Sequence, residues 1–399
     1  MRLFRVLLPL LVALTAGCEY GLSDPALKRL LNPTDSEQIP TVSGDGSAAV
    51  ITRPSTAPSP ADAPKDSFTA YAMAIGLSEP SDVAVDASGT LFIAETGTHR
   101  IRKIDALGRV TFYAGDGYVT DPETLFGRFY EPAGFGALQG SLYSPNALTL
   151  DSAGNLFVAD TQNNRIRKVT TDGKMITVAG CDIPGFYGDG KAATSAGLKL
   201  PCGVAMDSSG NLLLADTSNN RIRKVDVGSL VPKISTEVGQ GNAGFVDNRT
   251  RLEAQLNSPA GIATDASGNL FIADTYNNRI RKVTPAGVVS TVAGNGSTGS
   301  GDEIGDGRLA IEASLYCPQD VAVDRFGYLY IADTRHHRIR RVDPQGRIST
   351  IAGNGMIGIS SDGVAATDAR FRYPKGVAVG MDGTVYVADS VNNRIVELR

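Results

Sequence analysis

From about residue 68 onward the apolar positions fall in short runs separated by Gly, Asn, Asp and Ser, a pattern that predicts many short β-strands joined by tight turns. One order of runs recurs six times. It begins at a Pro and passes through a Val-Ala-Val-Asp-like run, a Ser-Gly or Asp-Gly turn and a run like Leu-Phe-Ile-Ala-Asp. A turn like Thr-Tyr-Asn-Asn-Arg, then Ile-Arg-Lys-Val and a further β-like run such as residues 289–293 complete the unit. Two residues keep the register: the arginines Arg100, Arg165, Arg221, Arg279, Arg338 and Arg394, and before them Glu95, Asp160, Asp216, Asp274, Asp333 and Asp389.

Four strand-like runs per unit make a propeller blade. Segments such as Val204-Ala205-Met206 and Val321-Ala322-Val323 are apolar on both faces, as blades packed around an axis require. Arg and Lys gather in the third run, which places them nearer the rim with their heads toward water. The last unit stops at Arg399 after its third run, and residues 68–76 read as an isolated fourth. The expected fold is therefore all-β: a six-bladed β-propeller of four-stranded antiparallel blades, the ring closed by an N-terminal strand that completes the last blade.

The run Ala159-Asp160-Thr161-Gln162-Asn163-Asn164-Arg165-Ile166-Arg167-Lys168-Val169 and its copies resemble the NHL repeat family, over about residues 68–399. The resemblance implies the fold but leaves function open, because such propellers include ligand-sensing, protein-binding and RNA-binding domains and relatives with lyase or lactonase chemistry.

The N-terminus adds an address. Arg2 and Arg5, the apolar run of residues 6–14 and the small residues Thr15-Ala16-Gly17 form an export signal, too short to span a bilayer. Leu14-Thr15-Ala16-Gly17-Cys18 resembles the lipobox of bacterial lipoproteins, with Thr15 where Leu is usual, and implies lipidation at Cys18. Without lipidation the product would be secreted. Glu19 after the cysteine favours the outer membrane in that family. Residues 18–66, rich in Ser, Pro and Ala, cannot bury enough surface to offset their ordering entropy and read as a tether. The domain boundaries are thus 1–17, signal; 18–66, lipidated Cys and tether; and 67–399, propeller. A net charge of −4 and pI near 5.5 argue against nucleic acid as a partner. A monomer is expected.

Candidate chemistry lies where the repeat is broken. Features present in all six units, including the Asp160–Arg165 pair that flanks a tight turn, read as structural, with a charge-assisted bond across the turn. His99, His336 and His337 stand at turn positions held by Asn elsewhere and make a poor zinc set. After each Pro the residues diverge, and Asp82, Asn146, Gln319, Asp320 and Lys375 could form a polar ligand site at the channel mouth, an oxygen-rich calcium site, or a solvated ion pair. No other cofactor is expected.

Long insertions between units share one face. The first, residues 116–144, carries Tyr118, Arg128 and Tyr130 among other aromatics, a composition favoured at binding surfaces and equally at home capping a core. Cys181 and Cys202 bracket the second insertion and are the candidate disulfide, with Cys317 left odd. These features favour a membrane-tethered binding or scaffold propeller that recognises an envelope protein, peptide or glycan through its insertion-bearing face. The alternative is a metal-dependent, lactonase-like hydrolase or lyase at the channel mouth.

Overall fold

The computed structural model describes residues 67–73, 76–118, 135–181, 183–299 and 301–399. They form six antiparallel sheets around one axis, with no α-helix among the described residues. Blade 1 runs outward through Pro80–Val85, Leu91–Glu95, Arg100–Ile104 and Val110–Ala114. Blades 2 to 6 repeat this order from inner strands Pro145–Leu150, Gly203–Met206, Pro259–Thr264, Asp320–Val323 and Pro374–Val379.

The ring closes as expected. Blade 6 takes its fourth strand, Thr69–Met73, from the other end of the chain, pairing Ala70 with Leu398 and Met73 with Ile395. Each second strand, such as Leu156–Asp160, is buried along its whole length because a neighbouring blade covers each of its faces. The core accordingly consists of six apolar clusters, one per blade junction. Phe157 and Ala159 of blade 2 pack with Val204 and Leu214 of blade 3, and Phe68 and Ala70 join the junction of blades 5 and 6.

The turn between second and third strands, a short 3₁₀ turn in blades 2 to 6, ends in a left-handed residue: Asn164, Asn220, Asn278 and Asn393, with His99 and His337 in the other two blades. Asn accepts that conformation at small cost. Its side chain also binds the next blade, as when Asn164 Oδ1 accepts the Leu200 N–H at 2.9 Å and Asn393 Oδ1 the Glu79 N–H at 2.9 Å. His99 and His337 do the same through Nδ1, accepting from Ser144 and Tyr373. His336 replaces a bridging Asn, its ring spanning Asp333 Oδ2 at 2.8 Å and the Gly299 carbonyl at 2.6 Å. All three histidines hold turns and loops.

Two expectations about charge are corrected. Asp160 and Arg165 are register partners, but the carboxylate pairs with the next arginine on the same strand face, Arg167, and Asp216, Asp274 and Asp333 likewise pair with Arg223, Arg281 and Arg340. In blade 6, where Val396 occupies that second position, the first arginine pairs directly, Arg394 to Asp389 at 2.8 Å. These second arginines are also buried rather than reaching water. Each buried carboxylate additionally receives a backbone N–H from the incoming insertion, as Asp216 does from Lys199 at 2.7 Å. Burial still dominates, raising Asp160, Asp216 and Asp274 to about 6.

Candidate functional site

The six inner strands enclose a channel of ≈ 340 Å³ lined mainly by small and apolar residues, with Asp82 and Asp320 at the end where the insertions lie. These are its two acidic groups. Asn146, Gln319 and Lys375 stand beside the mouth, half-buried, but do not line the channel. The structure therefore gathers two of the five residues expected there.

Both aspartates are engaged. Asp82 accepts the N–H of Val83 at 2.7 Å through Oδ1 and that of Leu148, on blade 2, at 2.7 Å through Oδ2. Asp320 accepts Val321 at 2.8 Å and Val377, on blade 6, at 2.8 Å. Each carboxylate thus staples its own inner strand to the next. The glycines opposite follow from this: a Cβ on Gly261 would lie 2.0 Å from Asp320 Oδ1, and one on Gly376 would lie 2.7 Å from Asp82. Burial raises Asp82 to about 7, and burial together with the Asp82 charge pushes Asp320 well above the usual carboxylate range. Among the described residues no three His, Cys, Asp or Glu side chains converge as a metal site.

The insertion-bearing face is different in character. Phe186 lies under the guanidinium of Arg221 at 3.9 Å and that of Arg223 at 4.9 Å, and Phe245 repeats this with Arg279 at 3.8 Å and Arg281 at 4.8 Å. Both rings remain about 40% exposed. Tyr118, Ile183, Met356 and Ile359 are also exposed on insertions. The aromatic-arginine stacks were missed from sequence, although Gly185-Phe186 and Gly244-Phe245 repeat at matching points of two insertions. Of the residues expected on the first insertion, Tyr118 is described, whereas Arg128 and Tyr130 lie outside the described residues, as does Cys18.

The Cys181–Cys202 bridge is not formed, and Cys181, Cys202 and Cys317 are free thiols. An insertion carries the chain from the outermost strand of one blade to the innermost of the next, so its two ends are three strand spacings apart, about 14 Å. Cys181 Sγ instead meets the Tyr187 hydroxyl at 3.0 Å, and Cys202 Sγ points at the Leu200 carbonyl.

Comparison with known proteins agrees with the geometry. The NHL repeat model matches residues 77–104, 198–225, 256–283 and 371–398, and a teneurin NHL domain model matches 295–360. NHL repeat-containing protein 2 of Bos taurus is 30% identical over 348 residues, covering 79% of this chain and 46% of that protein. Teneurin-3 of Danio rerio is 30% identical over 279 residues, covering 62% of this chain and 10% of that protein. The chain thus spans less than half the length of these curated relatives. Among solved structures, an auxiliary nutrient binding protein from Bacteroides ovatus aligns with a TM-score of 0.57 at 16% identity, over 81% of this chain and 70% of that one. Streptogramin B lyase aligns with a TM-score of 0.50 at 16% identity, over 84% of this chain and 98% of that one. Repeat motif, sheet order and ring closure converge: the chain is a six-bladed β-propeller that carries NHL repeats.

Proposed function

We propose that this protein is an exported propeller, lipid-anchored at Cys18 in the bacterial cell envelope, that binds a protein, peptide or glycan with its insertion-bearing face. Proteins of this fold include an auxiliary nutrient binding protein and a lyase, so the fold admits both binding and catalysis and the surface chemistry must decide. The observation that carries the binding reading is the pair of half-exposed Phe rings, Phe186 and Phe245, each clamped by two arginines, on a face whose insertions also expose Ile183 and Met356. Rigid aromatic groups held in place bring contact area at little entropic cost. The rival site at the channel mouth is weakened by the staples, since a ligand or metal at Asp82 or Asp320 must compete with backbone N–H groups whose loss would separate neighbouring blades.

The test is a binding screen of the full chain on glycan and peptide arrays. Signals should vanish in a Phe186→Ser, Phe245→Ser, Met356→Ser variant and persist in an Asp82→Asn, Asp320→Asn variant. The reverse pattern would move function to the channel and restore the hydrolase or lyase reading.

A further inference from the structure

The turn after the second strand also holds the insertion that enters its blade. In blades 3, 4 and 6 an asparagine on that turn donates through Nδ2 in two directions. Asn219 donates to the Asp216 carboxylate at 2.9 Å and the Gly185 carbonyl at 2.8 Å, Asn277 to Asp274 at 2.8 Å and Gly244 at 2.7 Å, and Asn392 to Asp389 at 2.8 Å and Gly358 at 2.8 Å. Each glycine immediately precedes an exposed side chain of the insertion-bearing face: Phe186, Phe245 and Ile359. An amide nitrogen carries two protons across the whole working pH range, so these three ties do not titrate.

Blade 5 makes the same tie with a histidine. His336 Nδ1 lies 2.8 Å from Asp333 Oδ2, and Nε2 lies 2.6 Å from the Gly299 carbonyl. Both partners are acceptors. A carbonyl has no proton to offer, and Asp333 Oδ2 already accepts from Arg340 Nη1 at 3.2 Å. A neutral imidazole has one donor nitrogen and one acceptor, so it makes one of these contacts and sets lone pair against lone pair in the other. Only the imidazolium, protonated at both nitrogens, makes both. The residue is 7% exposed, which leaves little room for water to replace a lost donor.

The surroundings favour that cation. Burial acts against the charge, and so does Arg340 on the third strand, but the Asp333 carboxylate and the Gly299 carbonyl outweigh them and hold His336 above its usual value of 6.5. Arg340 is itself paired with Asp306 of the insertion at 2.8 Å. Among the described residues, the other titratable and charged groups around the ring belong to the same insertion and turn. Tyr316 sets its ring 5.9 Å from the imidazole and its hydroxyl accepts from Arg335 at 3.0 Å, while Arg338 donates to the His336 carbonyl at 3.1 Å. His99 and His337 are set the opposite way. Each accepts a backbone N–H through Nδ1, which leaves that nitrogen without a proton, and burial lowers His99.

We propose that His336 is a pH latch on the insertion-bearing face: as an imidazolium it ties the insertion between blades 4 and 5 to the turn of blade 5, and loss of its Nε2 proton frees the Gly299 carbonyl. The proton on Nδ1 stays, because it faces a carboxylate. Release is local, since the start of the insertion has its own anchors: Arg279 donates to the Asn295 carbonyl at 2.8 Å, and the Asn295 N–H donates to Ala313 at 2.8 Å. The stability that the latch adds is complete below about pH 6.5 and is lost as pH rises through the folded value. For partner binding, a consequence that rests on the reading of this face given above, the blade 5 part of the surface is fastened in mild acid and loosened in alkali.

NMR of the full chain tests this through the ring-nitrogen shifts of His336 and the carbonyl-carbon shift of Gly299, followed from about pH 5 to 9. His336→Asn is the matched variant, because it installs the residue that makes the same tie in blades 3, 4 and 6. In the parent, both His336 nitrogens should be protonated at about pH 6, and the Gly299 carbonyl should shift with the same midpoint as the ring. In His336→Asn the Gly299 carbonyl should not titrate, and the melting temperature of the parent relative to this variant should fall by roughly 1–3 °C across that range. A His336 ring that is neutral at about pH 6 would overturn the proposal. So would a Gly299 carbonyl that stays constant in the parent or titrates equally in His336→Asn. No partner is present in these measurements, so the latch and the binding reading stand or fall separately.

Discussion

A chain lacking residues 1–75 should melt roughly 10–20 °C below the full chain, because the ring would lose the strand that closes it. Phe68 and Met73 are almost fully buried, and side chains of that size contribute about 1.5–3 kcal/mol each when buried. Removing Thr69–Met73 also bares the strand Arg394–Leu398, whose Ile395, Val396 and Leu398 are fully buried, and deprives the Val364–Ala365 segment of its partner. A control lacking only residues 1–43 retains every described contact and should melt with the parent. Equal melting temperatures for all three chains, by calorimetry, would show that the ring does not depend on this closure.

The second large effect is a pH dependence set by the channel aspartates. A folded-state pKa raised above the unfolded value means that the folded protein holds the proton more tightly. The associated stability is complete below about pH 4 and drains away as pH rises toward the folded value, about 7 for Asp82. A shift of that size corresponds to about 4 kcal/mol, and Asp320, raised in the same direction, adds to it. In Asp82→Asn, Asp320→Asn the decline contributed by these two groups should vanish, while the decline from Asp160, Asp216 and Asp274 remains. At low pH the folded aspartates are neutral acids, each with one carbonyl acceptor and one donor group as Asn has, so the variant should lie within about 1–3 kcal/mol of the parent there. The parent should lose stability relative to the variant as pH rises. Parallel curves from pH 4 to 7 in chemical denaturation would contradict the assignment.

The fold was legible because a propeller repeats: six copies of a strand-turn order, with one strand too many before the first and one too few in the last, define blade count and closure together. Ion pairs were harder to read. Asp160 and Arg165 do face each other across two strands, but a side chain as long as Arg is free to reach diagonally, and the sequence shows register rather than reach. The cysteines failed for a related reason, since nearness in sequence across an insertion hides the passage from rim to axis. At the channel mouth, alternation along the strand separates Asp82 and Asp320 from their neighbours Asn146, Gln319 and Lys375. Divergence from the repeat identified the aspartates, but their use as staples depends on the backbone of the adjoining blade.

Whether Asp82 and Asp320 join blades or hold an ion is answered most directly by elemental analysis of the purified full chain, paired with a calcium thermal-shift titration. The expected result is no stoichiometric metal and no calcium-dependent rise in melting temperature, in the parent or in Asp82→Asn, Asp320→Asn. One tightly bound ion per chain, lost in that variant, would contradict the staple assignment and make the channel mouth the working site.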